Sequence, residues 1–162
     1  MRKVTIFTVG GTIDKIYFDA SSDYKVGHPL VVSLLDKFKV NFDYELKTLF
    51  RKDSLDLTGK DRKKILKEVK NCECDKILIT HGTDTMAKTA ETLSDINDKT
   101  IVLTGALLPA TFKETDADFN IGTALGALWS ARPGIYIAMN GFVFHWDDVV
   151  KNKALGKFQS LK

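Results

Sequence analysis

Four short apolar runs constrain this chain more than any other feature: residues 4–9 (VTIFTV), 76–80 (KILIT), 100–104 (TIVLT) and 135–139 (IYIAM). Each is too short for a buried helix, rich in β-branched residues and without polar alternation, as in a strand covered on both faces. Helical patterns separate them. Residues 29–38 carry a proline suited to a first helical turn. Thr58 and Asp61 form a helix-start signal ahead of Ile65, Leu66 and Val69. Asp84 opens a long helical stretch with Met86, Ala90, Leu93 and Asn97 in line, and residues 116–130 read as a helix whose inner face is Phe119, Leu125, Leu128 and Trp129. Residues 44–50 (YELKTLF) alternate like a strand. Strands alternating with helices predict an α/β fold, a three-layer sandwich with a mostly parallel sheet covered by helices on both faces.

At 162 residues the chain has the length of one domain, 1–162, and can bury a core without a disulfide or metal staple. Its 44% hydrophobic and 28% charged residues exclude a disordered chain. The net charge of +3 is a tail effect: Lys151, Lys153, Lys157 and Lys162 lie in the last twelve residues, leaving 20 basic against 21 acidic before them. A nucleic-acid stripe is therefore not expected, and the basic run 60–70 reads as a solvated helix face. Cys72 and Cys74, one residue apart, fit neither a redox CxxC nor half a zinc site and read as free thiols. No leader or membrane-spanning stretch is apparent, so a cytoplasmic protein with no membrane partner is expected.

In a parallel sheet the ligand sits beyond the carboxyl ends of the strands. Gly10-Gly11-Thr12-Ile13, His81-Gly82-Thr83-Asp84-Thr85 and Gly105-Ala106 each follow a strand, so all three are expected along one edge. The first block has neither GxGxxG nor P-loop spacing. In the second, Thr83 or Asp84 also fits a plain helix cap, and His81 reads as structural. His28, His81 and His145 lack any paired metal-ligand spacing. A threonine hydroxyl becomes a nucleophile only when a base takes its proton. Lysine serves if its pKa is lowered, but among 24 basic residues counting does not choose one.

Together these blocks resemble the bacterial-type L-asparaginase family, and the resemblance spans nearly the whole chain. Tyr24 stands where that family has its flexible-loop tyrosine. The segment Asp53-Ser54-Leu55-Asp56-Leu57-Thr58 resembles the one whose serine holds the substrate, and Gly105-Ala106, residues 116–120, Met139-Asn140 and Asp148-Val149-Val150-Lys151 also line up. The resemblance implies hydrolysis of the side-chain amide of L-asparagine to aspartate and ammonia, without a metal or organic cofactor. It implies Thr12 as nucleophile with Tyr24 beside it, and Thr83, Asp84 and Lys151 as a relay in which Lys151 accepts the proton. Ser54 and Asp84 would hold the substrate α-carboxylate and α-ammonium, with Gly11, Thr83 and Ala106 lining the pocket. A homo-oligomer, dimer or tetramer, is implied as well.

Two departures stand out. Leu108 replaces an arginine common in the family, and Asp116-Ala117 stands for the usual Asp-Gly. Full-length members also carry a second domain that completes the pocket of a neighbouring subunit, whereas this chain resembles the first domain and the short single-domain members. A site built from the first domain alone is expected to close with its own loop, residues 14–27, or with another copy. A glutaminase, an amidotransferase-type relative and an amino-acid-binding module without turnover remain open beside the asparaginase reading.

Overall fold

The computed structural model describes residues 2–162. Its central sheet has six strands: β1 (Lys3–Gly10), β4 (Asp43–Lys52), β5 (Lys76–Thr80), β6 (Thr100–Thr104), β7 (Gly134–Met139) and β8 (Phe142–His145), in the order β4-β1-β5-β6-β7-β8. The first five run parallel; β8 returns antiparallel beside β7. Two small hairpins stand apart, β2 (Lys15–Phe18) with β3 (Asp23–Val26), and β9 (Val150–Asn152) with β10 (Lys157–Gln159).

Both faces of the sheet are covered, as the unbroken apolar strands require. On one side Val4, Ile6, Leu78 and Val102 pack against α1 (Val31–Phe38) and α4 (Ala117–Ser130). On the other, Phe7, Val9, Ile77, Ile79, Ile101 and Leu103 meet α2 (Gly59–Lys70) and α3 (Met86–Thr92). This is the three-layer α/β sandwich expected. Helix α2 begins on a capping box in which the Thr58 hydroxyl accepts from the Asp61 amide at 3.1 Å and the Asp61 carboxylate accepts from the Thr58 amide at 2.9 Å.

Three local expectations are corrected. Pro29 lies ahead of α1, which starts at Val31. The helix expected from Asp84 to Asn97 is only Met86–Thr92. Beyond it the amides of Leu93, Ser94 and Ile96 each bond three residues back, at 3.0, 3.1 and 2.9 Å, so the chain tightens into turns where Ser94 and Asp95 disfavour helix. In α4 the buried face is Ala117, Asn120, Ile121, Ala124, Ala127 and Leu128, while Phe119 is exposed and Leu125 and Trp129 are half-buried. The alanines let the helix lie close on the sheet, and the bulky residues are displaced to its flanks.

The strand order reverses between β1 and β5: from β1 the chain pairs on one side with β4, then returns to the other side as β5. The carboxyl ends of β1 and β5 therefore flank a topological switch point, where an open α/β sheet holds its ligand. Among the described residues no helix is long and apolar enough to cross a membrane, and no cluster of three His, Cys, Asp or Glu side chains is placed to hold a metal ion.

Candidate active site

Backbone contact, more than side-chain packing, brings the predicted loops together at the switch point. Gly11, with φ +91°, directly follows β1, its amide donating to the Lys52 carbonyl of β4 at 2.9 Å. A Cβ on Gly11 would lie 2.3 Å from Cα of Gly82, and one on Gly82 would lie 2.7 Å from Cβ of Ser54. A Cβ at either contact would force its neighbour to shift, so both positions favour glycine. Thr12 and Thr83 each follow one of these touching glycines, and Ser54 lies against the second. Ala106, buried after β6, lines the next loop along the edge.

Lys151 is delivered from far along the chain. Its ammonium donates to the Thr83 hydroxyl at 2.8 Å and to the Asp84 carboxylate at 2.7 Å. The Lys151 side chain is 16% exposed and that of Asp84 30%, so the pair is shielded without being sealed. Strand β9 carries Lys151, and its pairing with β10 is tied down twice. Asn140 accepts from the Phe158 amide at 2.8 Å, and one Asp148 carboxylate oxygen accepts from the Ser160 hydroxyl and the Leu161 and Lys162 amides at 2.7, 2.8 and 3.1 Å.

Ser54 is buried in a single 3-10 turn, Ser54–Asp56, capped by Asp53, which accepts from the Leu55 amide at 3.2 Å. Burial works against the Asp53 charge, but an ion pair with Lys15 at 2.9 Å and its backbone donors hold the carboxyl below its ordinary value. Thr85 joins this turn to the next loop. Its amide donates to Ser54 Oγ at 3.2 Å and its hydroxyl donates to the Ser54 carbonyl at 2.8 Å. Residues 83–85 lie ahead of α3, so Thr83 and Asp84 stand in a bend and not in a helix start.

Tyr24 sits on β3 of the hairpin that follows Thr12, 44% exposed. Its ring meets Tyr17 and Phe112 edge-on, with centroids 5.4 and 5.7 Å apart, and among the described residues no hydrogen bond joins it to Thr12. The base of this hairpin is held by Asp14: its carbonyl accepts from Gly27 and its carboxylate from Leu30, at 2.8 and 2.9 Å. Burial pushes the Asp14 carboxyl up to about 6, against the opposing effects of the Leu30 amide and the Arg51 charge.

His81 is fully buried, one nitrogen against the Gly82 carbonyl at 2.7 Å and the other against the Thr89 hydroxyl at 2.8 Å. The Gly82 carbonyl only accepts, so Nδ1 carries the proton and Nε2 accepts from Thr89. Burial drives its pKa down to about 4, with the Arg62 charge assisting and the Gly82 bond opposing. His81 is thus a neutral staple between the loop and α3.

Three further residues shape the site, of which the family resemblance had marked only Asp116. Asp116 accepts from the Leu107 and Leu108 amides and from Asn120 Nδ2 at 2.8 Å, fixing the loop that follows Ala106. Asp14 carried no motif. Arg62, within a run that read as solvated, is buried, while Lys60, Lys63, Lys64, Lys67 and Lys70 are exposed as expected. Its place one turn before Ile65 and two before Val69, on their face, was the available signal.

Residues 3–161 match the family described as Asparaginase, N-terminal. The chain is 33% identical over 164 residues to L-asparaginase 2 of Escherichia coli, covering 93% of this chain and 47% of that protein. It is 30% identical over 165 residues to a glutamyl-tRNA(Gln) amidotransferase subunit of Methanococcus vannielii, covering 94% of this chain and 37% of that one. The thermostable L-asparaginase from Thermococcus kodakarensis superposes with a TM-score of 0.86 at 30% identity, over 98% of this chain and 51% of that one. The chain thus spans about half the length of these relatives, or less.

Proposed function

The chain belongs to the asparaginase family, residues 3–161 matching the family's N-terminal domain, and from that premise we propose that it hydrolyses the side-chain amide of L-asparagine to L-aspartate and ammonia with Thr12 as nucleophile. The observation that carries the reading is the Lys151 ammonium held between Thr83 and Asp84, beside the contact of Gly11 with Gly82. In this reading Thr12 Oγ attacks the amide carbon while its proton passes into the relay of Thr83, Lys151 and Asp84. Collapse of the tetrahedral adduct breaks the C–N bond, ammonia leaves with that proton, and water then cleaves the acyl ester by the same relay. The Ser54 hydroxyl donates to the α-carboxylate and the Asp84 carboxylate faces the α-ammonium, the donor and the anion that an amino-acid zwitterion requires.

The test is ammonia release from L-asparagine by the purified chain, with its oligomeric state measured alongside. Thr12→Ala and Thr83→Val are expected to lose turnover, and activity persisting in either overturns the assignment. The amidotransferase likeness favours one second reading, a domain that releases ammonia for a partner protein. Turnover of glutamine exceeding that of asparagine supports it, because one methylene is discriminated by pocket depth.

A further inference from the structure

Arg62 is a buried cation with no ion-pair partner among the described residues; the Asp61 charge acts on it through space alone. It is 5% exposed on α2, donating from Nη1 to the Leu57 carbonyl at 3.0 Å and from Nη2 to the Thr85 hydroxyl at 2.8 Å. Its buried Nε finds no acceptor. The adjacent carboxylate, Asp61, is engaged with Lys52 at 2.9 Å and with the Thr58 amide at 2.9 Å, and among the described residues none pairs with Arg62. His81 nearby is neutral at pH 7. A buried charge with no hydrogen-bonded counter-ion is expensive, and a mere staple between two oxygens needs no permanent cation. The missing negative charge is supplied most simply by what binds above.

The hydrogen bonds lead there. Arg62 donates to Thr85 Oγ1, Thr85 Oγ1 donates to the Ser54 carbonyl, and the Thr85 amide donates to Ser54 Oγ. The chain of bonds ends on the residue that would receive a substrate carboxylate. We propose that Arg62 is a positioning residue whose buried charge, relayed through Thr85 and Ser54, restricts the site to amides that carry a free α-carboxylate. This rests on the reading of Ser54 as the carboxylate holder. Polarised by the guanidinium, the Thr85 hydroxyl is a stronger donor, which orients the Ser54 turn; the uncompensated charge adds a long-range attraction that a neutral isostere lacks.

The experiment compares L-asparagine with its α-N-methylamide, in which the carboxylate is neutralised and only the side-chain amide releases ammonia. Wild type, Arg62→Met, Arg62→Gln, Arg62→Lys and Thr85→Val are assayed for KM and kcat, with circular dichroism to confirm folding. Arg62→Met and Arg62→Gln are expected to raise KM for asparagine roughly tenfold or more, the scale of one charge acting at an effective dielectric near 20. They should leave kcat, and KM for the methylamide, within about threefold, with Arg62→Lys recovering most of the selectivity. Thr85→Val, which cuts the link with Arg62 in place, should raise the asparagine KM selectively too and carries the test if the Arg62 variants do not fold. Equal losses on both substrates, or no loss, overturn the proposal and reduce Arg62 to a structural staple. A wild-type chain that neither binds nor hydrolyses asparagine overturns the Ser54 reading itself, and the proposal with it, before any variant is made.

Discussion

Asp14→Asn should turn a pH-tolerant fold into an acid-sensitive one. Two buried groups titrate in opposite senses. The native state holds the Asp14 proton up to about pH 6, whereas an unfolded chain releases it near 3.8. Between those values the native state binds more protons, so Asp14 adds stability as the pH falls. His81 does the reverse. Unfolded it protonates near 6.5 and folded only near 4, so stability is lost as the pH falls between them. Each interval exceeds two pH units, and linkage makes each contribution about 2 kcal/mol between pH 7 and 4.5, of opposite sign. In the wild type they nearly cancel. Asparagine at position 14 keeps an oxygen for the Leu30 amide and removes the titration, leaving His81 unopposed. Urea midpoints for Asp14→Asn should therefore drop by the equivalent of about 2 kcal/mol from pH 7 to 4.5, and those of His81→Gln should rise by a similar amount. Glu45, Asp53, Asp61, Asp147 and Asp148, whose folded carboxyls lie below their ordinary values, lose their stabilisation mainly below this window. An Asp14→Asn protein as pH-independent as the wild type would refute the reasoning. So would a wild type that already loses the full amount.

Gly82→Ala forces a Cβ to 2.7 Å from that of Ser54, and about 1–3 kcal/mol of destabilisation is expected by thermal melting, with KM for asparagine raised through displacement of the Ser54 turn. Thr80 and Thr104 face each other across β5 and β6, but the buried Thr80 hydroxyl has no protein partner while that of Thr104 donates to the Ala138 carbonyl at 2.7 Å. Thr80→Val should therefore be neutral or stabilising by up to about 1 kcal/mol, and Thr104→Val destabilising by about 1 kcal/mol or more, in the same melting assay. Lys151→Met should keep the melting temperature within a few degrees and reduce kcat at least about a hundredfold, measured as ammonia release.

The legibility of the fold follows burial. Residues 76–80 and 100–104 match their strands end for end because both faces are covered and a His-Gly or glycine closes each run. Strand β8 is set locally, by Asn140 and Gly141 at φ +55° and +77°, the two-residue turn that brings it back beside β7. Strands β9 and β10 carried no such signal and depend on the Asn140 side chain and the Asp148 clamp, both effective only once distant residues have met. The inner face of α4 misled for a related reason. Side-chain size suggested Phe119 and Trp129, but close approach to the sheet selects alanine.

The same contrast divides the site. Its glycine contacts were legible because a backbone crossing leaves a mark in composition: it favours glycine at positions 11 and 82. Its charges were not, because a lysine or arginine looks alike whether solvated or buried, and only the three-dimensional neighbour decides. Counting left Lys151 one among 24 basic residues, and only the family resemblance picked it out before a three-residue strand set it against Asp84, 67 positions earlier. Arg62 was part of a basic run until α2 turned it under Thr85. Both cations reach the site from elements outside the central sheet, Arg62 from a helix on its face and Lys151 from a small hairpin. The parallel core therefore supplies a rigid rim of backbone and hydroxyl groups, and the surrounding elements supply its positive charge. Substituting Arg62 or Lys151 can thus change the charge at this rim while Ile65 and Val69 of α2 and Phe158 of the hairpin keep their places in the core, because the side chains of both cations bond to loop residues.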